Sequence, residues 1–186
     1  MDGEQALVLE AQQGDLAAFG QVYDAYFDRV FRYAFARVGN RAEAEDLAAE
    51  VFLKALRAIH SYRPQGAPFS AWLFRIAHNL VVDYLRRASR RPTEELEEGL
   101  PLAGPPPDEQ VAQQMAFEDV QEAMEGITEA QRRVIALRFA GGLSIAEAAE
   151  VMGKSQGAIK ALQHSAVQAV RRRLKQQGYN LDEQQV

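Results

Sequence analysis

Cysteine is absent from the 186 residues. That excludes disulfide staples, thiolate nucleophiles and cysteine-held metals, and a reducing compartment is the simple reading. No run approaches the roughly 18 apolar residues that a membrane helix needs. The opening MDGEQALVLEAQQGD also lacks the basic start and apolar stretch of a signal peptide. A cytoplasmic protein without membrane insertion is therefore expected. Alternating β-branched runs are scarce, while Ala, Leu, Glu, Gln and Arg dominate, so the expected fold class is all-α. Only three histidines occur, His60, His78 and His164, and they are scattered. With no nucleophile beside a base, no metal-ligand cluster and no Gly-rich phosphate loop, neither an enzyme nor a cofactor is expected.

What is present is unevenly distributed charge. The net charge of −5 argues against a nucleic-acid partner until it is divided along the chain. Residues 75–91 carry five arginines and one acid, residues 92–130 carry eleven acids and no base, and residues 151–181 carry six bases and no acid. Two basic segments thus flank an acidic middle, the pattern of a protein with localised anion-binding surfaces.

The middle segment, PTEELEEGLPLAGPPPD at 92–108, holds five of the seven prolines. It cannot pack a core and reads as a flexible, acidic, Pro-rich linker. The chain then divides into a first module at 1–91, the linker at 92–108, a second module at 109–178 and a tail at 179–186. In the first module, helices are expected at 6–13, from Asp15 to Gly39, at 41–59 and over 68–91. The second should carry helices at 109–125, 128–139, 144–152 and 155–175, with Thr128–Gln131 and Ser144–Glu147 at capping-box spacing.

Three stretches carry motifs. LSIAEAAEVMGKSQGAIKALQ has helix-turn-helix form, with Ala148 small where two helices cross and Ile145, Ala149, Val151 and Ile159 placed for a shared core. The start of its second helix would face a major groove, although a hairpin that only packs has the same pattern. AEAEDLAAEVFLKALRAI is apolar on one side and carboxylate-rich on the other, which alone describes a solvated face. In FSAWLFRIAHNLVVDYLRR, Leu73, Ile76, Ala77, Leu80 and Tyr84 repeat at core spacing, whereas Trp72, Arg75, Asn79, Asp83 and Arg86 follow another face. Aromatic rings among arginines suit either a core or a surface that stacks bases and holds phosphates.

In this order around an acidic linker, these motifs resemble a bacterial sigma factor of the extracytoplasmic-function (ECF) group, over about residues 5–175. The resemblance implies a subunit that directs RNA polymerase to promoters. Its partners would be core polymerase (the beta-prime clamp helices and the beta subunit), promoter DNA and an anti-sigma factor. It assigns polymerase docking to Asp46, Leu47, Glu50, Val51, Phe52 and Lys54. It assigns the −10 element to Tyr62, Arg63, Phe69, Trp72, Arg75, Asn79, Arg86 and Arg87, with Tyr62, Phe69 and Trp72 as the exposed rings. It assigns the −35 element to Ser155, Gln156, Ala158, Lys160, His164 and Arg171. The linker acids are expected either along the RNA path of the polymerase or simply on a soluble spacer.

The chain departs from the family's pattern in two places. Ala49 stands where a glutamine is usual. The recognition helix continues with Leu162, Gln163, Ser165 and Val167 where arginines are common. A stand-alone regulator that binds duplex without polymerase is the competing reading, and an adaptor with a vestigial helix-turn-helix is a third. The first lacks any βα sensor pattern, and binding to DNA with and without core polymerase separates all three.

Overall fold

In a computed structural model, residues 2–63, 66–90, 122–124 and 126–179 are described. The linker expected at 92–108, and most of the helix expected at 109–125, lie outside them. The described residues form helices and no strand. They are α1 (Asp2–Gln12), α2 (Leu16–Val38), α3 (Arg41–Ala58), a 3-10 turn (Ile59–Ser61), α4 (Phe69–Ala88), α5 (Glu129–Ile135), a π turn (Ala136–Ala140), α6 (Ile145–Met152) and α7 (Gln156–Gln176).

Local chemistry sets the boundaries. Asp15 accepts hydrogen bonds from the amides of Ala17 and Ala18 at 2.8 and 3.1 Å and starts α2. Gly39 ends that helix at φ 73°, a conformation that suits glycine, and returns its N–H to the Phe35 carbonyl. Asn40 caps α3 through the Glu43 amide. Capping boxes at Thr128–Gln131 and Ser144–Glu147 start α5 and α6 as expected. Ser155 caps α7 through the Ala158 amide at 3.2 Å.

The first module packs α1 to α4 around Val22, Val30, Tyr33, Ala44, Val51, Ile59, Leu73 and Phe74, each 2% exposed or less. Burying side chains of this size contributes roughly 1.5–3 kcal/mol each. Gln12 ties α1 to the end of α3, donating to the carbonyls of Ile59 at 2.9 Å and Tyr62 at 2.7 Å. In the second module Val134, Leu137, Leu143, Ala148 and Ile159 form the centre, each fully buried. Ala148 and Ala149 are buried where α6 meets α7, and Ile145 is half-buried.

The helix expected to run regularly to residue 139 instead widens after Ile135. Gly141 N–H bonds the Ala136 carbonyl at 2.8 Å, one residue further back than an α-helix would place it. The extra residue turns the chain and leaves carbonyls 140–142 pointing outward, where the other module takes them up.

Candidate nucleic-acid interface

On α4, Arg75, Asn79, Asp83 and Arg86 are exposed and Trp72 is half-buried, so the polar face runs along the helix as its spacing requires. Arg86 donates to Asp83 at 3.0 Å and Arg87 to the Asp83 carbonyl at 3.2 Å. These are exposed contacts that anionic phosphates can replace.

The aromatic expectation needs correction. Tyr62 and Phe69 are only 8% and 4% exposed, because they pack with Trp72 in one cluster. Ring centroids stand 5.5 Å apart for Tyr62–Phe69, 5.1 Å for Tyr62–Trp72 and 5.3 Å for Phe69–Trp72. Burial, with Glu4 adding to it, raises the Tyr62 phenol above its ordinary pKa. Tyr62 and Phe69 therefore brace Trp72, the one ring of the three that is open enough to meet a base. Arg63 is exposed, and its guanidinium is drawn back onto the carbonyls of His60 and Tyr62 at 3.1 Å each. Leu73 is buried, and Ile76 and Tyr84 pack at the edge of the core.

On α7, Gln156, Lys160 and His164 are exposed and recur every fourth residue, with Arg171 half-buried two turns further on. They make one stripe. Ser155 is exposed but spends its hydroxyl on the cap, and Ala158 is half-buried. The departure from arginine further along the helix has a structural reason. Gln163 accepts from Arg138 at 2.8 Å, Ser165 accepts from Gln131 at 3.1 Å, and Leu162 packs against the core. These residues fix the orientation of α7.

On α3, Asp46 and Lys54 are exposed and Glu50 is half-exposed, with Lys54 and Glu50 paired at 3.2 Å. Leu47, Val51 and Phe52 are 5%, 1% and 4% exposed, so they hold the helix from beneath. Sequence reasoning missed Leu53, which is 54% exposed between the charged residues. Its signal was available: it falls seven residues after Asp46, on the same face.

The two modules meet. Arg29 donates from Nε to the Gly141 carbonyl at 2.9 Å and from Nη2 to that of Gly142 at 3.2 Å. Arg32 reaches the Ala140 carbonyl at 3.3 Å, and Arg75 that of Glu150 at 3.0 Å. Arg37 pairs with Glu129, and the Ser70 hydroxyl donates to the Glu147 carboxylate. The Arg29 guanidinium also lies over the ring of Tyr26, 5.0 Å from its centroid. Behind these contacts the Tyr33 hydroxyl lies 3.2 Å from Nδ1 of His78. Burial, then the charges of Arg133 and Arg37, press the His78 imidazole down to about 4, so it is neutral at pH 7. Glu147 is also shifted downward. Burial alone would raise its carboxyl, but hydrogen bonds from Ser144 and Ser70 and the Arg29 charge outweigh burial and hold it below the ordinary value.

No group of side chains among the described residues could hold a metal ion, and no helix among them is long and apolar enough to cross a membrane.

A four-helix module joined to a capped helix-turn-helix, each with a basic exposed helix face, defines a two-module DNA-binding regulator of transcription. Known proteins place it further. Sigma-70 region 2 matches residues 22–91, and Sigma-70, region 4 matches residues 123–172. The chain is 43% identical over 171 residues to the ECF RNA polymerase sigma factor BldN of Streptomyces coelicolor, covering 90% of this chain and 64% of BldN. It is 37% identical over 186 residues to the ECF sigma factor SigD of Mycobacterium tuberculosis, covering 92% of this chain and 84% of SigD. The solved structure of CnrH in complex with the cytosolic domain of CnrY shares the fold, with a TM-score of 0.73 at 24% identity over 92% of this chain and 97% of that one. The sigma factor RpoE of Bartonella quintana, solved with the anti-sigma factor NepR, gives 0.63 at 25% identity over 84% and 96%. The chain belongs to the ECF sigma factors of bacterial RNA polymerase.

Proposed function

We propose that the chain acts in the cytoplasm as an alternative sigma factor, by binding and without catalysing a reaction of its own. The observation that carries this reading is the exposed stripe Gln156, Lys160 and His164 on the second helix of a capped helix-turn-helix. A major groove admits such a helix, and its first turns reach base edges. Ser155, Ala158 and Arg171 flank the stripe at the −35 element.

Core polymerase docks on the α3 face through Asp46, Ala49, Glu50, Leu53 and Lys54, with Leu47, Val51 and Phe52 holding that face rigid. The beta-prime clamp helices are the partner of this surface, and the second module reaches the beta subunit. The −10 strand runs along α4. Trp72 stacks a base, and Arg63, Arg75, Asn79, Arg86 and Arg87 hold the backbone, with Tyr62 and Phe69 supporting the tryptophan. Flipping a base costs on the order of a few kcal/mol, and stacking returns roughly 1–3 kcal/mol per base, so capture of one strand brings melting within thermal reach.

The functional division is residues 1–91 for docking and −10 capture, 92–108 as linker, 109–178 for the −35 element and 179–186 as tail. An anti-sigma factor is a further partner. CnrH and RpoE were each solved with a second protein, and an arrangement in which the modules already touch offers such a partner one continuous surface.

Gel shift of promoter duplex with and without core polymerase tests the reading. A specific, salt-sensitive shift is expected only when core is present. Full-affinity specific binding by the chain alone would favour the stand-alone regulator instead.

A further inference from the structure

Between α4 and the helix-turn-helix module lies a cavity of about 470 Å³, within the range of small-ligand sites, about 300–1,000 Å³. The first module contributes His78, Val82, Leu85, Arg86 and Ser89, and the second contributes Glu129, Ala130, Arg133, Met152 and Lys154. Val82, Leu85 and Met152 make an apolar wall. Arg86, Arg133 and Lys154 bring three cations, and Glu129 is the one carboxylate among the lining residues.

That carboxylate is already committed. Glu129 pairs with Arg37 and stands 3.5 Å from Arg132. Meanwhile Nε of Arg133 is buried with no hydrogen-bond partner. Buried guanidinium donors left unused are costly. Burial first, and then the charges of Arg133 and Arg37, press His78 towards its neutral form. A phosphate group answers both the unused donor and the positive charge, since its oxygens accept several charge-assisted hydrogen bonds from arginine and lysine.

We propose that this cavity binds a phosphorylated small molecule of nucleotide size, with phosphate on Arg86, Arg133 and Lys154 and its apolar ring against Val82, Leu85 and Met152, and that binding holds the two modules together. The cavity has walls from both modules and exists only while they touch. A ligand that needs both walls binds the closed arrangement alone and shifts the equilibrium towards it. A promoter strand is not the natural occupant, because reading two promoter elements requires the modules to part. The proposal concerns the closed arrangement itself, and only the exclusion of a promoter strand rests on the function proposed above.

The test uses the full chain. Because it has no cysteine, Asp24→Cys and Ala161→Cys place one donor and one acceptor dye on exposed positions of the two modules. GTP, inorganic pyrophosphate and a chloride control of equal ionic strength are titrated while energy transfer is read. GTP is expected to raise transfer saturably, with little response to chloride. Lys154→Glu, at an exposed position whose loss leaves the core intact, should weaken the midpoint by about tenfold or more, the scale of one lost charge-assisted hydrogen bond. Arg133→Gln should do the same where it keeps the helical circular dichroism signal. No saturable response, or an equal midpoint in Lys154→Glu, would overturn the site. Pyrophosphate acting as well as GTP would overturn the part given to the apolar wall.

Discussion

A β-carbon at position 141 would stand 2.7 Å from Cε1 of Phe74, 3.0 Å from the Leu137 carbonyl and 3.2 Å from the Leu143 side chain. Gly141 sits at φ −77°, which any residue adopts, so glycine is needed for space and not for backbone freedom. Phe74 belongs to the other module and is fully buried. Gly141→Ala is therefore expected to wedge the modules apart at a cost of about 1–3 kcal/mol, typical of overpacking. Interdomain energy transfer should fall while the helical circular dichroism signal stays constant, and unchanged transfer would mean that Phe74 moves aside freely. In the sequence Gly141 falls only between the helices expected at 128–139 and 144–152. Its reason was illegible because it lies in a ring 67 residues away, in a module that nothing in the pattern brings near.

At the scale of elements, periodicity carried most of the information. The caps at Asp15, Thr128, Ser144 and Ser155 were short-range chemistry, and short-range chemistry is what a sequence displays. The π turn was not legible, since one inserted residue leaves the apolar repeat almost unchanged. Burial within α3 was legible as a face. Leu47, Val51 and Phe52 match the docking motif, yet they point into the core, and Leu53 takes the outer position. Asp46→Lys with Glu50→Lys is expected to abolish co-purification with core polymerase with no loss of helix, and Leu53→Asp should weaken it by about tenfold, as for one apolar anchor at an interface. A folded double variant that still binds core would remove α3 from the docking surface. The two DNA faces should also fail separately. Asn79→Ala is expected to lower permanganate reactivity at the −10 element more than closed-complex binding. Lys160→Ala should impair duplex promoters but spare a pre-melted template. Equal loss on both templates would dissolve this division between α4 and α7.

The whole molecule holds its modules in contact, whereas on the proposed reading two promoter elements about two duplex turns apart, at roughly 34–36 Å per turn, would require them to separate. Closure should also depend on pH. His78 drops from an ordinary 6.5 to about 4 in the closed chain. Closure is thus fully supported above pH 6.5, and the support is lost as pH falls towards 4, because a released imidazole takes the proton that the buried one refuses. Glu147 acts in the same direction: its lowered value supports closure above the ordinary 4.5, and that support is lost as pH falls through the lowered value. Facing these groups are Tyr33, Arg37, Arg133 and Glu129 at the histidine, and Ser70, Ser144 and Arg29 at the glutamate. Energy transfer should fall as pH drops from about 6.5 towards 4 and below, and His78→Phe should flatten the upper part of that fall. A flat wild-type profile would exclude the histidine from the interface. None of this was legible beforehand, since Arg29, Arg32 and Arg75 all hold carbonyl oxygens of the opposite module, and carbonyls leave no signature in a sequence. The same fact gives the contact an unusual inheritance. Every residue type supplies a carbonyl, so Ala140 and Glu150 can be replaced over generations without withdrawing the acceptors. Drift in the helix-turn-helix, and with it the acquisition of new promoters, leaves this grip in place.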